Sequence, residues 1–290
     1  MNLSFGSNYR WWAFGAMAVG LFASVSDNGS VVVALPSISN HFDTDLPTTQ
    51  WVLIGYALTI SALLLPMGRM ADIVGRKRVY VLGFVIFTVG ALAAGLSPSV
   101  EALIASKIFQ GVGAAMTQGT SMAMVVSTFP PEQRGKALGL QMSMVGLGGV
   151  AGPAVGGFLI GVADWRWVFF GASIMGAVSV LAAIIIIDSK QVGQPTGDRE
   201  AFDWLGAALS TGAMVSFLLG MTGGQRLGWL SPLILGALGS SIALMIVFVW
   251  WELRAPSPIM DMRLFKRRLF TFGVSASYLS FVGMSSVRFL

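Results

Sequence analysis

An all-helical protein that crosses a membrane many times is the fold class this sequence predicts, and three observations predict it. Charged residues make up 11% of the 290 positions, against roughly 25% in a typical soluble domain. Hydrophobic residues reach 55% and the mean hydropathy is +0.76, more apolar surface than a soluble fold of this size could cover. The apolar residues also fall in long unbroken runs, the mark of membrane-spanning helices and not of the alternating strands of a barrel.

Nine such runs are placed: 11–36, 51–67, 79–96, 102–129, 137–162, 166–187, 204–222, 231–251 and 269–290. The first, opening at Trp11, outlasts the apolar core of a signal peptide and reads as a retained span. Between the sixth and seventh lies the most polar break, "DSKQVGQPTGDREAFD". Its composition marks a linker. The expected organisation is therefore a six-helix unit over 1–187, a cytoplasmic linker over 188–203, a helix pair over 204–251, a cytoplasmic loop over 252–268 and a further helix over 269–290. The chain stops at Leu290 within its ninth apolar run, so a missing C-terminal half, or a partner chain in its place, is expected to be needed for activity.

Orientation follows from the cations. With the N-terminus in the cytoplasm, fourteen Lys and Arg, Arg10 and Arg199 among them, fall on the inside and only Arg166 and Arg226 on the outside. A multi-pass plasma-membrane protein with a cytoplasmic N-terminus is the expectation. The pI near 9.9 is explained by these inner segments, which leaves no basic face for nucleic acid. With no cysteine there is no disulfide framework and no thiolate metal site. No nucleotide loop, HExxH or G-x-S-x-G occurs, so no enzyme, metal or cofactor chemistry is expected.

Four stretches carry the residues of interest. The second span ends in "GRMADIVGRKRVY", 68–80. Positive-inside anchoring accounts for its cations but not for Gly68, Asp72 and Gly75. A carboxylate at Asp72 is placed to meet the N-terminus of a neighbouring helix, with Gly68 allowing close approach and Gly75 a tight reversal. Arg76 and Lys77 complete a polar latch. "SDNGSVVVALP", 26–36, places Asp27 inside an apolar helix, where an ionisable group is costly and faces a cavity or a partner. "SKIFQGVGAAM", 106–116, places Lys107 within the fourth span. At about 1.5 Å per residue, Asp27 lies roughly 13 Å below the outer end of its span near Pro36, and Lys107 roughly 12 Å below Ser99. The two share a level, and are expected to face one cavity and to influence each other's protonation. In the fifth span, "GLGGVAGPAVGGFLIG", Gly148, Gly152 and Gly156 recur every four residues, forming a smooth stripe for helix packing, with Pro153 adding a kink.

These stretches resemble known motifs. G-x-x-x-D-x-x-G-R-K after the second span is similar to the signature loop of the major facilitator superfamily. Asp27 with Ala34, Leu35 and Pro36, Lys107 with Gln110, Gly111, Gly113 and Ala115, and Gly152, Pro153, Gly156 and Gly157 resemble motifs of its fourteen-spanner drug/proton antiporters. "WVLIGY", "DWRWVFF", "FDWLG" and "PIMDMRLFKRRLF" fit the same branch, and Lys107 replaces its usual Arg. The resemblance implies proton-coupled export of small amphipathic or cationic compounds (multidrug efflux) by alternating access. It implies a cytoplasmic gating loop of Gly68, Asp72, Gly75, Arg76 and Lys77, and a helix-five hinge of Gly148, Gly152, Pro153, Gly156 and Gly157. The proton gradient would be the energy source, with the lipid bilayer, a small molecule and protons as partners. A truncated non-transporting remnant and a metabolite or sugar facilitator are the alternatives. Trp165 and Trp167 are expected at the membrane interface, His41 in a solvated outer loop, and Arg288 deep in the last span.

Overall fold

The computed structural model describes residues 8–193 and 201–286. Every regular element among them is helical: α1 (Tyr9–Phe42), α2 (Leu46–Thr49), α3 (Trp51–Val74), α4 (Arg76–Gly95), α5 (Val100–Thr128), α6 (Pro131–Val162), α7 (Arg166–Ile186), α8 (Trp204–Leu227), α9 (Pro232–Glu252) and α10 (Arg268–Ser286), with a 3₁₀ turn at Met262–Lys266. Seven of the helical stretches are long and apolar enough to cross a membrane. α5 is not among the seven although it has 29 residues. Its buried positions include Lys107, Gln110, Thr117, Thr120 and Ser121, and these lower its hydropathy. Arg199 and Arg288 lie outside the described residues.

The chain divides into two compact units, Met1–Glu200 and Ala201–Leu290. In the first, α1 packs on α6 and α7, α7 on α4, α4 on α5, and α5 on α3, with α1 also meeting α5. One end of this bundle gathers Tyr9, Val74, Arg76, Thr128, Pro131 and Ile186, the starts of α1, α4 and α6 and the ends of α3, α5 and α7. It also gathers the cations Arg76, Lys77, Arg78, Arg134 and Lys136, and is called the basic end below. Phe84, Phe87, Phe129, Met17 and Met124 fill the core toward that end, and Val31, Ile38, Leu103, Trp165 and Phe169 fill the other.

Several helix ends differ from the sequence expectation. α1 continues six residues past Pro36, because the ring removes one backbone bond while the turn beyond closes through Asp43 in the left-handed region, with Thr44 N–H donating to Ser39 O at 3.0 Å. His41 therefore belongs to the last turn of α1 and not to a loop. It is exposed, and its Nε2 lies 3.1 Å from an Arg166 guanidinium nitrogen. α3 runs on to Val74, so the segment 68–80 is helix on both sides of a one-residue break at Gly75 (φ 111°). Only glycine adopts that φ without strain. Trp165 is turned inward and buried against Phe42 and Phe169, while Trp167 is exposed.

In the second unit α8 and α9 form an antiparallel hairpin. Asp203 caps α8 through Gly206 N–H at 2.8 Å and accepts a 2.8 Å bond from the Trp251 indole. Ser231 caps α9, with Pro232 at its first position. Glu252 accepts from the backbone N–H groups of Ile259 and Met260, folding the loop after α9 back on the helix end. α10 follows the 3₁₀ turn, tied to it by Thr271 Oγ1 donating to Phe265 O at 2.7 Å.

Candidate functional site

Two long-range contacts define the centre of the first bundle. Lys107 Nζ, on α5, donates to Asp27 Oδ2, on α1, at 2.9 Å, and both side chains have no solvent-accessible surface. One turn further along α5, Gln110 Nε2 donates to the same Oδ2 at 3.1 Å. The equal depths expected from the sequence thus bring the acid and the amine into direct contact. They do not line an open hollow, as the sequence suggested. The Lys107 ammonium lies 4.3 Å from the Tyr56 ring centroid and 5.7 Å from that of Phe169, so two aromatic faces close the space around it. Ring faces attract a desolvated cation, which supplies the ammonium with electron-rich neighbours that water would otherwise provide.

A buried ion pair needs its remaining lone pairs satisfied. Asp27 Oδ1 and Gln110 Oε1 are both buried without a hydrogen-bond donor among the described residues. The site is therefore short of donors and not of acceptors. Chemically it is a carboxylate with one oxygen committed to a lysine and an amide, and the other free to take a proton.

The glycine stripe packs α6 against α1 beside this pair. A Cβ on Gly148 would meet Val25, one on Gly152 would lie 2.6 Å from Ser26 O, and one on Gly156 would lie 2.7 Å from Ser30 Cα. On the facing helix, Gly29 is equally confined, since a Cβ there would lie 2.9 Å from Pro153 Cδ, and Ser30 Oγ donates to Gly152 O at 2.7 Å. The two backbones approach as only small residues permit. Gly157 departs from the packing expectation: it is rotated off this face, and a Cβ there would meet nothing within 4 Å.

At the basic end, Arg76 Nε donates to Asp72 Oδ1 at 2.9 Å across the Gly75 break, and Arg76 Nη1 donates to Ala123 O at 3.3 Å. Lys77 Nζ reaches Ile184 O at 3.1 Å, in the last turn of α7, where the helix dipole favours a cation. Gly68 faces Gly119: a Cβ on Gly119 would stand 3.1 Å from Gly68 N and 2.9 Å from Leu64 O. The five latch residues are thus gathered where α3, α4, α5 and α7 end or begin.

Sequence reasoning did not single out Tyr56, Phe169, Ser24 or Gln141 as members of the polar centre. Tyr56 and Phe169 fall inside the quoted "WVLIGY" and "DWRWVFF", where they counted toward the resemblance and not as neighbours of the pair. A hydroxyl or amide in a membrane helix carries no spacing signal of its own. Gln110 also stood inside a quoted motif.

The family model described as Major Facilitator Superfamily matches residues 17–287. The chain belongs to that superfamily. This places it among transporters and not enzymes. Among curated members of the superfamily, it is 30% identical over 285 residues to the riboflavin transporter RibZ of Clostridioides difficile, covering 97% of this chain and 60% of RibZ. It is 31% identical over 253 residues to the multidrug resistance protein Stp of Mycobacterium tuberculosis, covering 87% of this chain and 46% of Stp. The fold also matches the crystal structure of a POT family transporter in complex with a thioalcohol-conjugated peptide, with a TM-score of 0.61 at 17% identity, over 85% of this chain and 53% of that one. The chain spans about half the length of the curated relatives it matches, 46% of Stp and 60% of RibZ.

Proposed function

We propose that this chain contributes the proton-coupling bundle of an exporter of small amphipathic or cationic compounds. The reading rests on one observation: a fully buried acid–lysine pair whose acid keeps an unpartnered oxygen, Asp27 Oδ1. A proton arriving at that oxygen neutralises the acid and loosens its hold on Lys107. Its departure restores the pair. A proton moving down 100 mV supplies roughly 2.3 kcal/mol, enough to drive modest accumulation against a gradient.

In this reading residues 1–187 form the first bundle, 188–203 a cytoplasmic linker, 204–251 an inserted pair and 252–268 a cytoplasmic loop, with 269–290 opening a second bundle. The N-terminus lies in the cytoplasm of a cell whose plasma membrane holds the protein, which puts fourteen cations inside. Two bundles rock about a midplane site, the second supplied by further chain or by a partner. The Asp72–Arg76 contact at Gly75 holds the inner gate, and the Gly148–Gly152–Gly156 face with Pro153 lets α6 slide on α1. Relatives such as Stp support drug efflux.

RibZ favours a second reading, a metabolite transporter working without proton coupling. Proton-driven dye efflux from right-side-out vesicles, with and without Asp27→Asn, separates the possibilities. Efflux that depends on the proton gradient and disappears in Asp27→Asn supports the coupling reading. Substrate movement indifferent to both supports the metabolite reading. No movement with either protein supports a non-transporting remnant.

A further inference from the structure

Between the buried pair and the basic end of the bundle the structure holds a file of hydroxyl and amide groups that no packing need explains. Tyr56 Oη and Ser24 Oγ are 3.3 Å apart. Gln118 Nε2 lies 3.5 Å from Ser24 Oγ. Gln141 Nε2, on α6, donates to Ser121 Oγ at 2.9 Å. Ser24 is one turn nearer the basic end than Asp27, on the same face of α1. Gln118 and Ser121 follow Lys107 along α5 by three and four turns, about 16 and 21 Å of rise, and Gln141 stands ten residues into α6 from that end. The groups therefore descend in order.

Ser24, Thr117, Gln118 and Ser121, together with Gly20, Leu21, Tyr80 and Phe84, surround a cavity of about 10 Å³. That is the size that holds a single water, and its polar lining supplies the two to four partners a buried water requires. Gly20 keeps it open: a Cβ there would lie 2.6 Å from Tyr80 Oη and 2.5 Å from the Phe84 ring. At the two extremes stand buried acceptors with no donor among the described residues, Asp27 Oδ1 above and Gln141 Oε1 below. A polar file in an apolar bundle, a hole of water size in its middle and buried acceptors without a donor at either end are three separate observations with one chemical meaning.

We propose that Ser24, Gln118, Ser121 and Gln141 form the route by which Asp27 exchanges its proton with water at the basic end. The O–H bond of the protonated Asp27 carboxyl breaks, and the proton joins a water held at Ser24. It then passes to the water in the cavity and on past Ser121 to bulk water. Asp27 is left as the carboxylate paired with the Lys107 ammonium, so charge and atoms balance. The hydroxyls and water carry the proton, while the amides of Gln118 and Gln141 only hold their orientation. The four are positioning residues that act through Asp27, and the inference rests on the proposed proton role of that acid.

The test uses the whole chain in nanodiscs and follows the carbonyl stretch of the protonated Asp27 carboxyl by infrared spectroscopy after a pH jump. The band is assigned by its disappearance in Asp27→Asn. The expected result is that Ser121→Ala and Gln118→Leu each slow the rise and decay of this band about tenfold without changing its final amplitude, and that Ser121→Thr, which keeps the hydroxyl, restores the rate. Unchanged rates in both variants would overturn the route, because protons would then be reaching Asp27 from elsewhere. A changed amplitude with an unchanged rate would also overturn it, marking these residues as part of the acid's environment and not of its path. Loss of rate in Ser121→Thr as well as in Ser121→Ala counts against it too, as a packing effect. If no band is lost in Asp27→Asn, the proton role of Asp27 itself fails, and the route fails with it; a failure of the route alone leaves the band in place.

Discussion

Two ion pairs of equal length stand in one bundle. Asp27–Lys107 and Asp72–Arg76 both close at 2.9 Å, but the first has no accessible surface, whereas the side chains of Arg76 and Asp72 are 25% and 41% exposed. Distance is identical and energetics are not. Water around Asp72 competes for both partners and screens them, so an exposed pair of this kind is worth about 0–1 kcal/mol. For Asp27 and Lys107 nothing competes, but both ions have lost their hydration, and each is tolerable only because the other is present. An exposed contact such as Asp72–Arg76 opens and closes readily, which suits a gate. A buried contact such as Asp27–Lys107 responds to protons more than to solvent, which suits a coupling site.

The largest effect should come from breaking the buried pair on one side. Lys107→Met leaves the Asp27 carboxylate without its cation and should cost about 3–5 kcal/mol of stability at neutral pH, read by thermal unfolding in detergent followed by circular dichroism. Joining it to Asp27→Asn removes both charges and should recover most of that loss. If Lys107→Met is as stable as the parent, the pair is not desolvated and the contrast with Asp72–Arg76 dissolves.

The next effect tests what keeps the buried pair dry. Gly152 holds α6 against α1, and a Cβ there would stand 2.6 Å from Ser26 O and 3.1 Å from Gly29 Cα, both backbone atoms with no rotamer to yield. Gly152→Ala should therefore destabilise by about 1–3 kcal/mol and, by parting the helices, admit water toward Asp27. Gly157→Ala, five residues on with open space around it, should be neutral or slightly stabilising, since alanine favours helix by up to about 1 kcal/mol over glycine. The same melts check both; equal behaviour of the two variants would mean that the stripe does not hold this interface.

Much of this contrast is legible in the sequence, and the remainder is hidden for physical reasons. A carboxylate at 27 and an amine at 107 stand out because charge within apolar runs is rare, and a count of rise per residue sets them at one level. The steps of four from Gly148 to Gly156 likewise announce a packing face. That the pair would be enclosed and not facing a hollow was not readable, because it depends on Tyr56 and Phe169 arriving from α3 and α7. The latch residues were legible, but their setting was not: a glycine at 75 was read as part of a loop, and it is a single break between two helices. The route past Ser24, Gln118, Ser121 and Gln141 left no trace, because serine and glutamine occur singly, at no fixed spacing, on three different helices.

The smallest effect is expected at the exposed pair, and its smallness is what gives it meaning. Asp72→Asn keeps an oxygen to accept from Arg76 Nε and removes only the charge. Arg76 also holds Ala123 O at 3.3 Å, so the break at Gly75 retains a tie to α5. The change in stability should stay below about 1 kcal/mol. It should also shrink as salt rises from 0.05 to 1 M, about where the screening length falls from over 10 Å to about 3 Å. Lys107→Met should keep its full cost over the same range, since ions do not enter its surroundings. Unfolding of both variants at the two salt concentrations therefore sorts the pairs by environment alone. A salt-insensitive loss at Asp72 would show that this carboxylate is held away from solvent in solution. A gate built on it would then be stiffer than its exposure indicates.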